Sequence, residues 1–372
     1  MKKIIALILA ILMLVSIVAC SAKDKAPAEE EGTKAEVSKE ATPATEETSE
    51  PKKLEKVRVA VMPSTMCAPI HYAVKSGYDK DFGMEIEMIT FPTGSPMNEA
   101  LAAKEWDIAG IGMAAVFGIA NYGATWIAET VDSTPGMQIF IRPDSKIAQD
   151  KGYNPTYPEL YGAPESVKGI DILVPTGTSA HICVMKWLEK IGLRAEDVNV
   201  IHMEYGQAFE AFRAGEGDAL ATYAPYLALC NEEGWIQAAC LKGLGVDILD
   251  GLEVEDGYLE AHPDVVQAFT DMIYKVMAEF SADPELAINE ALDWYTLNGR
   301  DVTYDSVKSD LQISPFINPE ILVSDDYEFG AGMIGVAEFF ANLGQIEPEK
   351  VAVVQEHING EFYLNSYNKA NG

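Results

Sequence analysis

The sequence is short of positive charge, of histidine and of cysteine. Its 372 residues contain 27 lysines and arginines against 58 acidic residues, which leaves a net charge of -31 at pH 7. Surfaces that bind nucleic acid need clusters of basic side chains, so a nucleic acid is not an expected partner. The five histidines and five cysteines follow no zinc-ligand spacing, so we expect no metal site and no cofactor.

Catalytic motifs are also missing. The sequence contains no HExxH, no GxSxG and no Walker-type glycine loop. His181 lies close to Ser179, but a general base needs an oriented partner, and the sequence offers none. We therefore expect a protein that binds a ligand without changing it. An extracytoplasmic enzyme of the same fold is the alternative, and it would convert its ligand chemically.

The one long hydrophobic run lies at the start of the chain. Two lysines precede the apolar residues 4–19, which end at Cys20. The run is shorter than the ~20 residues that a helix needs to span a bilayer. Residues 1–20 are therefore predicted to be a signal peptide, and their end resembles the bacterial lipobox, which implies a lipid on Cys20 and cleavage before it. Ordinary signal cleavage near Ala19 or Ala22 is the alternative.

Residues 21–53 are rich in Ala, Glu, Lys, Thr, Ser and Pro and contain no aromatic residue. Such a segment cannot bury enough apolar surface to fold, so we expect a disordered acidic tether. A flexible coil of this length reaches roughly 30 Å. The tether would hold the folded part clear of the membrane surface.

From residue 54 onward, short β-branched runs alternate with amphipathic stretches, which predicts two α/β lobes. The chain is divided into a first lobe at 54–138, a second lobe at 139–239 and a mostly helical return to the first lobe at 240–372. Crossings between the lobes are predicted near 136–142 and 237–242. The predicted elements are strands at 57–62, 84–91, 107–112, 170–175, 198–203 and 219–223, and helices at 70–77, 97–106, 179–191, 209–213, 262–280, 284–297 and 327–343.

Two further features of the folded part stay open at this level. Residues 142–168, rich in Pro, Gly and Tyr, are interpreted as an inserted surface loop of unknown role. Cys230 and Cys240 could form a disulfide outside the cell, or they could be small buried residues like Cys67 and Cys183.

Several predicted strands end in a polar or glycine turn that opens a helix. These turns are at 63–65, 93–95, 112–114 and 176–179. Helix N-termini carry free amides and a partial positive potential, and ligands of open α/β sheets bind at the carboxyl ends of strands. Together the turns predict a cradle for an anion between the lobes. Each turn alone is better explained as an ordinary helix start, and only their joint placement favours a ligand site.

The stretch 169–181, GIDILVPTGTSAH, followed by WLEKIGL at 187–193, resembles the second-lobe signature of the aliphatic sulfonate, taurine and nitrate solute-binding proteins of ABC importers. Further similar segments occur in the same order as in that family. They are FPTGSPM at 91–97, EALAA at 99–103, DIAGIG at 107–112, AGEGDA at 214–219 and HPDVV at 262–266. The resemblance extends from about residue 57 to about residue 343.

This resemblance implies a type II periplasmic-binding-protein fold, in which two α/β lobes joined by two crossings close on one small ligand. It implies a monomer on the outer face of the cytoplasmic membrane, held there as a lipoprotein, that delivers its ligand to a membrane permease served by a separate ATPase. By position, with the apolar and aromatic residues near the turns added, the expected ligand-binding residues are Ser64, Thr65, Met66, Ser95, Gly112, Met113, Thr178, Ser179, His181, Tyr205, Tyr223 and Tyr226.

One departure from the family bears on the ligand. Where the family often has a Trp-Asp-Pro-like segment, this chain has Tyr223-Ala224-Pro225-Tyr226, and Ala224 offers no carboxylate to a ligand ammonium group. The nearby methionines and tyrosines suit an organic anion better than bare nitrate. A sulfonate, a carboxylate and a neutral heterocycle such as a thiamine-precursor pyrimidine remain open. A sensory lipoprotein of the same fold is the alternative to an importer component.

Overall fold

The structure is a computed structural model and describes residues 53–325 and 327–372. The predicted signal peptide, the lipidation of Cys20 and the tether up to residue 52 lie outside the described residues. Within the part that is described, no helix is both long enough and apolar enough to cross a bilayer.

Three consecutive segments of the chain build two sheets. The first segment contains β1 (Glu55–Val61), α1 (Ala68–Lys75), α2 (Tyr78–Asp81), β2 (Met84–Thr90), α3 (Gly94–Ala102), β3 (Ile108–Ile111), α4 (Ala115–Tyr122) and β4 (Ala124–Asp132). The second contains β5 (Gln138–Ile141), α5 (Pro164–Val167), β6 (Asp171–Val174), α6 (Ser179–Lys190), β7 (Asn199–His202), α7 (Tyr205–Arg213), β8 (Ala219–Thr222), α8 (Tyr226–Glu232) and β9 (Ile236–Cys240).

The third segment begins with a strand and continues as helices. It contains β10 (Leu249–Glu255), α9 (Asp256–Ala261), α10 (Pro263–Ala282), α11 (Pro284–Leu297), α12 (Tyr304–Ile313), α13 (Ala331–Asn342), α14 (Lys350–Glu356) and α15 (Glu361–Asn371). The helix starts follow the local sequence. Pro263 and Pro284 occupy first helical positions, and the Asp283 carboxylate accepts from the first amides of α11.

Each sheet defines one lobe. The first lobe has the strand order β2-β1-β3-β10-β4, and the second has the order β7-β6-β8-β5-β9. In the first lobe β1 is parallel to β2 and β3, whereas β10 is antiparallel to β3 and β4. In the second lobe β6 is parallel to β7 and β8, whereas β5 is antiparallel to its two neighbours. The predicted two-lobe α/β fold is confirmed.

The chain passes between the lobes twice. It leaves the first sheet after Asp132 and enters the second at Gln138, and it returns between Cys240 and Leu249. The first crossing joins β4 to β5, and the second joins β9 to β10. Each of these four strands is antiparallel to its neighbours in its own sheet. The sequence analysis assigned no strand to β4, β5, β9 or β10. β4 and β5 are buried along almost their whole length, and periodicity alone does not separate such strands from buried helices. β10 falls in the part of the chain that was interpreted as mostly helical.

The inserted segment 142–168 is attached to the second lobe rather than projecting freely. Ile147, Leu160 and Val167 are buried, and the indole Nε1 of Trp187 donates a 2.8 Å hydrogen bond to the Tyr161 carbonyl. These contacts fix the segment against α6.

The four cysteines of the described region are free thiols. Cys67, Cys183 and Cys230 are buried, and Cys240 is half-buried. Cys230 and Cys240 therefore do not pair, and the disulfide alternative is wrong.

Candidate functional site

The carboxyl ends of strands from both sheets face one another around a cavity of about 30 Å³. This cavity is called the cleft cavity below. Its wall includes residues from both lobes and from the first crossing, which is the position where open α/β sheets bind ligands. The residues predicted from the sequence that line it are Met66, Gly112, Met113, Thr178, Ser179, Tyr205 and Tyr223.

The second lobe contributes the N-terminus of α6. Thr178 does not cap this helix with its side chain, because its hydroxyl donates to the Pro175 carbonyl at 2.7 Å and accepts from the Tyr205 hydroxyl at 3.3 Å. The first main-chain bond of the helix is donated by Ile182 to Thr178. The amides before Ile182 therefore have no acceptor within the helix, and they carry the positive end of its dipole.

The first lobe contributes the starts of α3 and α4. Gly94 begins α3, and Ala114 directly precedes α4. A Cβ atom on residue 94 would lie 2.6 Å from the Ala114 Cβ, which is too close for two carbon atoms. Only glycine at position 94 lets the two helix starts meet beside the cleft cavity.

Flexible and aromatic side chains form the rest of the wall. The rings of Tyr205 and Tyr223 meet edge to face with their centroids 4.5 Å apart, a favourable arrangement for aromatic pairs. Burial raises the pKa of both tyrosine hydroxyls, so they stay protonated and can donate hydrogen bonds. Unbranched thioether side chains, which adapt to irregular shapes, come from Met62, Met66, Met113 and Met137.

The sequence analysis missed one functional group in the cleft cavity, the carboxyl of Asp250. This side chain is only 1% exposed. Its Oδ2 accepts from the Ser133 hydroxyl, whereas its Oδ1 has no partner in the described part of the chain. Burial, assisted by nearby Asp132, raises the pKa of Asp250 to about 7. A buried polar atom without a partner costs roughly 1–3 kcal/mol.

A sequence signal for Asp250 exists. It stands in an apolar run, Ile248-Leu-Asp-Gly-Leu252, where an acidic residue directly precedes a glycine. An acidic residue inside a buried strand is unusual and often functional, although β10 also contains Glu253 and Glu255. The signal was missed because residues 240–372 were interpreted as mostly helical.

The remaining predicted residues lie around the cleft cavity without lining it. Ser64 and Thr65 are buried next to Met66. Ser95 and His181 line a wider groove of about 790 Å³. The His181 Nδ1 accepts from the Gly177 amide at 3.2 Å, and burial lowers the pKa of this imidazole to about 4. His181 is therefore neutral at pH 7 and brings no positive charge to an anion.

Tyr226, the last of the predicted residues, is buried but does not line the cleft cavity either. Its hydroxyl accepts a 2.7 Å hydrogen bond from the Arg300 guanidinium. Its ring packs on Phe209 with the centroids 5.5 Å apart. Tyr226 thus packs against Phe209 and binds Arg300 beside the site, and it is not part of the cavity wall.

The groove and the cleft cavity are neighbouring parts of one cleft. The groove contains Ser95 and Gly177, whose chain neighbours Gly94 and Thr178 line the cleft cavity. The lobes touch between the two spaces, because the Ser95 hydroxyl donates to the Thr176 carbonyl at 3.3 Å. Nearby, the Thr93 hydroxyl donates to Glu204 at 3.3 Å. The groove is larger, but the helix starts converge on the cleft cavity, so we assign the site there.

The cleft cavity is too small to admit an organic ligand without a change of conformation. About 30 Å³ is roughly the volume share of a single water molecule. An organic ligand therefore reaches the site only if the lobes separate or the methionine side chains move. Two crossings between the sheets permit such a hinge motion.

Comparison with known proteins agrees with this architecture. Residues 50–289 match the NMT1-like family. A Brachyspira hyodysenteriae protein, named as a candidate ABC transporter periplasmic binding protein, is 34% identical over 82% of this chain and 88% of its own length. The taurine-binding periplasmic protein of Escherichia coli is 21% identical over 63% of this chain and 70% of its own length.

A solved structure shows the same fold. The alkanesulfonate-binding protein SsuA from Xanthomonas axonopodis pv. citri, bound to MOPS, superimposes with a TM-score of 0.65 at 19% identity. The superposition covers 84% of this chain and 99% of that protein. Fold and cleft define a solute-binding protein of the periplasmic type. The chain belongs to the NMT1-like family, and the resemblance to ABC-importer binding proteins stated from the sequence is confirmed.

Proposed function

We propose that the chain collects a small organic anion outside the cytoplasmic membrane and delivers it to the permease of an ABC importer. The observation that carries this proposal is the open N-terminus of α6, where Thr178 and Ser179 line the cleft cavity. Free amides and hydroxyls at a helix N-terminus hold anionic groups such as sulfonate or carboxylate. The relatives named for taurine and alkanesulfonate support this ligand class.

The path of the chain supports reversible capture rather than permanent enclosure. The lobes are joined by two crossings, and they meet through single hydrogen bonds such as those of Ser95 and Thr93. Contacts of this kind each contribute roughly 0.5–1.5 kcal/mol, so a ligand that bridges both lobes can decide whether the cleft is open or closed.

The membrane anchor belongs to the proposal as well. The sequence Val18-Ala19-Cys20 after a hydrophobic run supports lipidation of Cys20. The acidic residues that follow would form a tether, and the folded part, which carries most of the net charge of -31, would be repelled by anionic headgroups. An importer component benefits from both features because it must stay near the permease and remain free to rotate.

A neutral or weakly basic heterocycle is the second candidate ligand. It is favoured by the edge-to-face pair Tyr205 and Tyr223 and by the lining of the cleft cavity, which includes no lysine, arginine or histidine of the described residues. Aromatic walls with hydroxyl donors suit such rings.

A thermal-shift screen of the purified protein separates the candidates. The probes are alkyl and aryl sulfonates, taurine, nitrate, simple carboxylates and pyrimidines. A ligand at a hundred times its dissociation constant adds ~2.7 kcal/mol to the free energy of unfolding, which is a clear shift. Stabilisation by sulfonates or carboxylates is the expected result. Stabilisation by pyrimidines alone would overturn the anion proposal in favour of the heterocycle.

A further inference from the structure

Asp250 occupies a special place in the fold. It is the second residue of β10 and therefore follows directly on the second crossing between the lobes. Its hydrogen-bond partner Ser133 stands at the start of the first crossing. The carboxyl thus connects both crossings at one point, and it also belongs to the wall of the cleft cavity.

The backbone around Asp250 is adapted to this placement. The register of β10 against β4 shifts between Asp250 and Gly251, which marks a bulge, and bulges change the direction of the neighbouring side chains. A Cβ atom on residue 251 would lie 1.8 Å from the Ala128 carbonyl oxygen, so this position requires glycine. The irregular strand turns an acidic side chain toward the ligand site.

A second glycine leaves room in front of the carboxyl. A Cβ atom on residue 112 would lie 2.8 Å from Oδ1 of Asp250. Oδ2 is already held by Ser133, while Oδ1 is buried and unpartnered within the described residues. One oxygen is therefore oriented by the protein, and the other can accept a hydrogen bond at the cavity.

The chemistry of the wall indicates what would donate to this oxygen. Apart from Asp250, the lining consists of methionine, glycine, alanine, threonine, serine and tyrosine, with no basic side chain among the described residues. A buried carboxyl without a positive neighbour is stabilised in its charged form by a cation that comes with the ligand.

We propose that Oδ1 of Asp250 accepts a hydrogen bond from a protonated nitrogen of the ligand, whose anionic group lies at the N-terminus of α6. The ligand class is then a small zwitterion with its two charges a short chain apart. This inference rests on the proposed anion site at Ser179. It also replaces the carboxylate that Ala224 lacks with one that comes from a different strand.

The test compares probes that differ only in the amine. Taurine is paired with ethanesulfonate and β-alanine with propionate, and binding to the wild-type protein and to D250N is measured by calorimetry. The amine-bearing member of a pair should bind the wild type about tenfold to a hundredfold more tightly, since hydrogen bonds to charged groups are strong. D250N should lose most of this preference.

Two control variants separate recognition from structure. D247N makes the same chemical change at an exposed residue of the second crossing and should keep the preference. S133A removes the bond that orients Oδ2 but leaves the carboxyl in place, so it should weaken the amine-bearing member less than D250N does and leave part of the preference for it. A preference that changes equally in S133A and D250N would overturn the proposed role of Asp250.

The outcomes also separate this inference from the anion proposal. Wild-type protein that binds ethanesulfonate as tightly as taurine would overturn the role of Asp250 and leave the anion site intact. Binding of ethylamine, lost in D250N, without binding of any sulfonate or carboxylate would support Asp250 and overturn the anion site. A wild type that binds none of these probes would contradict both.

Discussion

The guanidinium of Arg300 donates a 2.7 Å hydrogen bond to the hydroxyl of Tyr226. Arg300 follows α11 of the first lobe, and Tyr226 begins α8 of the second. The same guanidinium lies close to Gly206 in α7: a Cβ atom on residue 206 would be 3.4 Å from the Nη1 of Arg300. Arg300 therefore fastens the first lobe to the second outside the cleft cavity.

Loss of the hydrogen bond between Arg300 and Tyr226 should weaken ligand binding, although neither residue contacts the ligand. Y226F deletes one hydrogen bond to a charged donor, worth roughly 1.5–3 kcal/mol, from the closed arrangement of the lobes. We expect about tenfold weaker binding of the best ligand by calorimetry. The control is Y304F, which deletes a 2.7 Å bond to Glu285 within the first lobe. Equal affinity of Y226F and wild type would show that the bond does not hold the closed state.

The hydroxyl of Ser179 should be a direct ligand contact. S179A should weaken an anionic ligand by roughly 1–3 kcal/mol, because a buried charge loses one donor. Affinity for the best sulfonate or carboxylate is measured by calorimetry, with S281A on an exposed position of α10 as the matched control. Unchanged affinity in S179A would remove Ser179 from the site.

The glycine at position 112 should be required for binding. In G112A the new methyl group would lie 2.8 Å from Oδ1 of Asp250 and would block that oxygen. We expect near-complete loss of ligand binding with a folded protein, as monitored by calorimetry and circular dichroism. G335A within α13 is the control, since nothing lies within 4 Å of its new methyl group and alanine favours a helix. Ligand affinity in G112A equal to that of G335A would contradict the assignment.

The stability of the ligand-free protein should fall as pH rises. The pKa of Asp250 is about 7 in the folded protein against an ordinary 3.8, so the folded state binds its proton more tightly than the unfolded state does. The contribution of Asp250 to the free energy of unfolding therefore decreases between pH 3.8 and about 7 and levels off above that. His181 opposes it in part, because burial lowers its pKa from 6.5 to about 4 and its contribution rises with pH in between. Nearby Cys67 and Tyr205 keep their protons over this range because burial raises the pKa of both.

D250N isolates this contribution. The melting temperature of wild type should drop more between pH 5 and pH 8 than that of D250N, as measured by calorimetry. A residual pH dependence is expected in D250N, because burial also raises the pKa of Glu253 and Asp310, and lowers that of His181, which acts in the opposite direction. Identical pH profiles of the two proteins would mean that Asp250 does not titrate in this window.

Lipidation of Cys20 should determine where the protein is found. C20A should move the chain from the membrane fraction to the soluble extracytoplasmic fraction and abolish labelling with palmitate. A C240A variant, which removes a half-buried thiol of the folded part, should stay membrane-bound. Wild-type protein that is already soluble and unlabelled would favour ordinary signal cleavage.

Local sequence chemistry was sufficient to predict the parallel part of each lobe. The helix α6 begins at Ser179 as predicted, because a threonine precedes an apolar pattern of helical spacing. The strands β1, β2 and β6 alternate with helices in the predicted order. Such elements are specified by neighbours in the chain, so their signals are visible without a structure.

The crossings were predicted near 136–142 and 237–242, but the strands that flank them and the contacts of Asp250 were not. Asp250 acquires its role from contact with Ser133 and Gly112, both more than a hundred positions earlier in the chain. Neither partner carries a local signal that refers to residue 250. The antiparallel pairing of β10 with β4 brings these residues together, and only the folded chain shows it.

The thioether wall has a consequence for how such a protein changes its cargo over evolutionary time. Met62, Met66, Met113 and Met137 conform to many shapes, so they select weakly among solutes of similar size. Selectivity then depends on a few polar atoms at the two ends of the cavity, and a single substitution there could switch the nutrient. The scaffold would remain the same, and the transported solute would not.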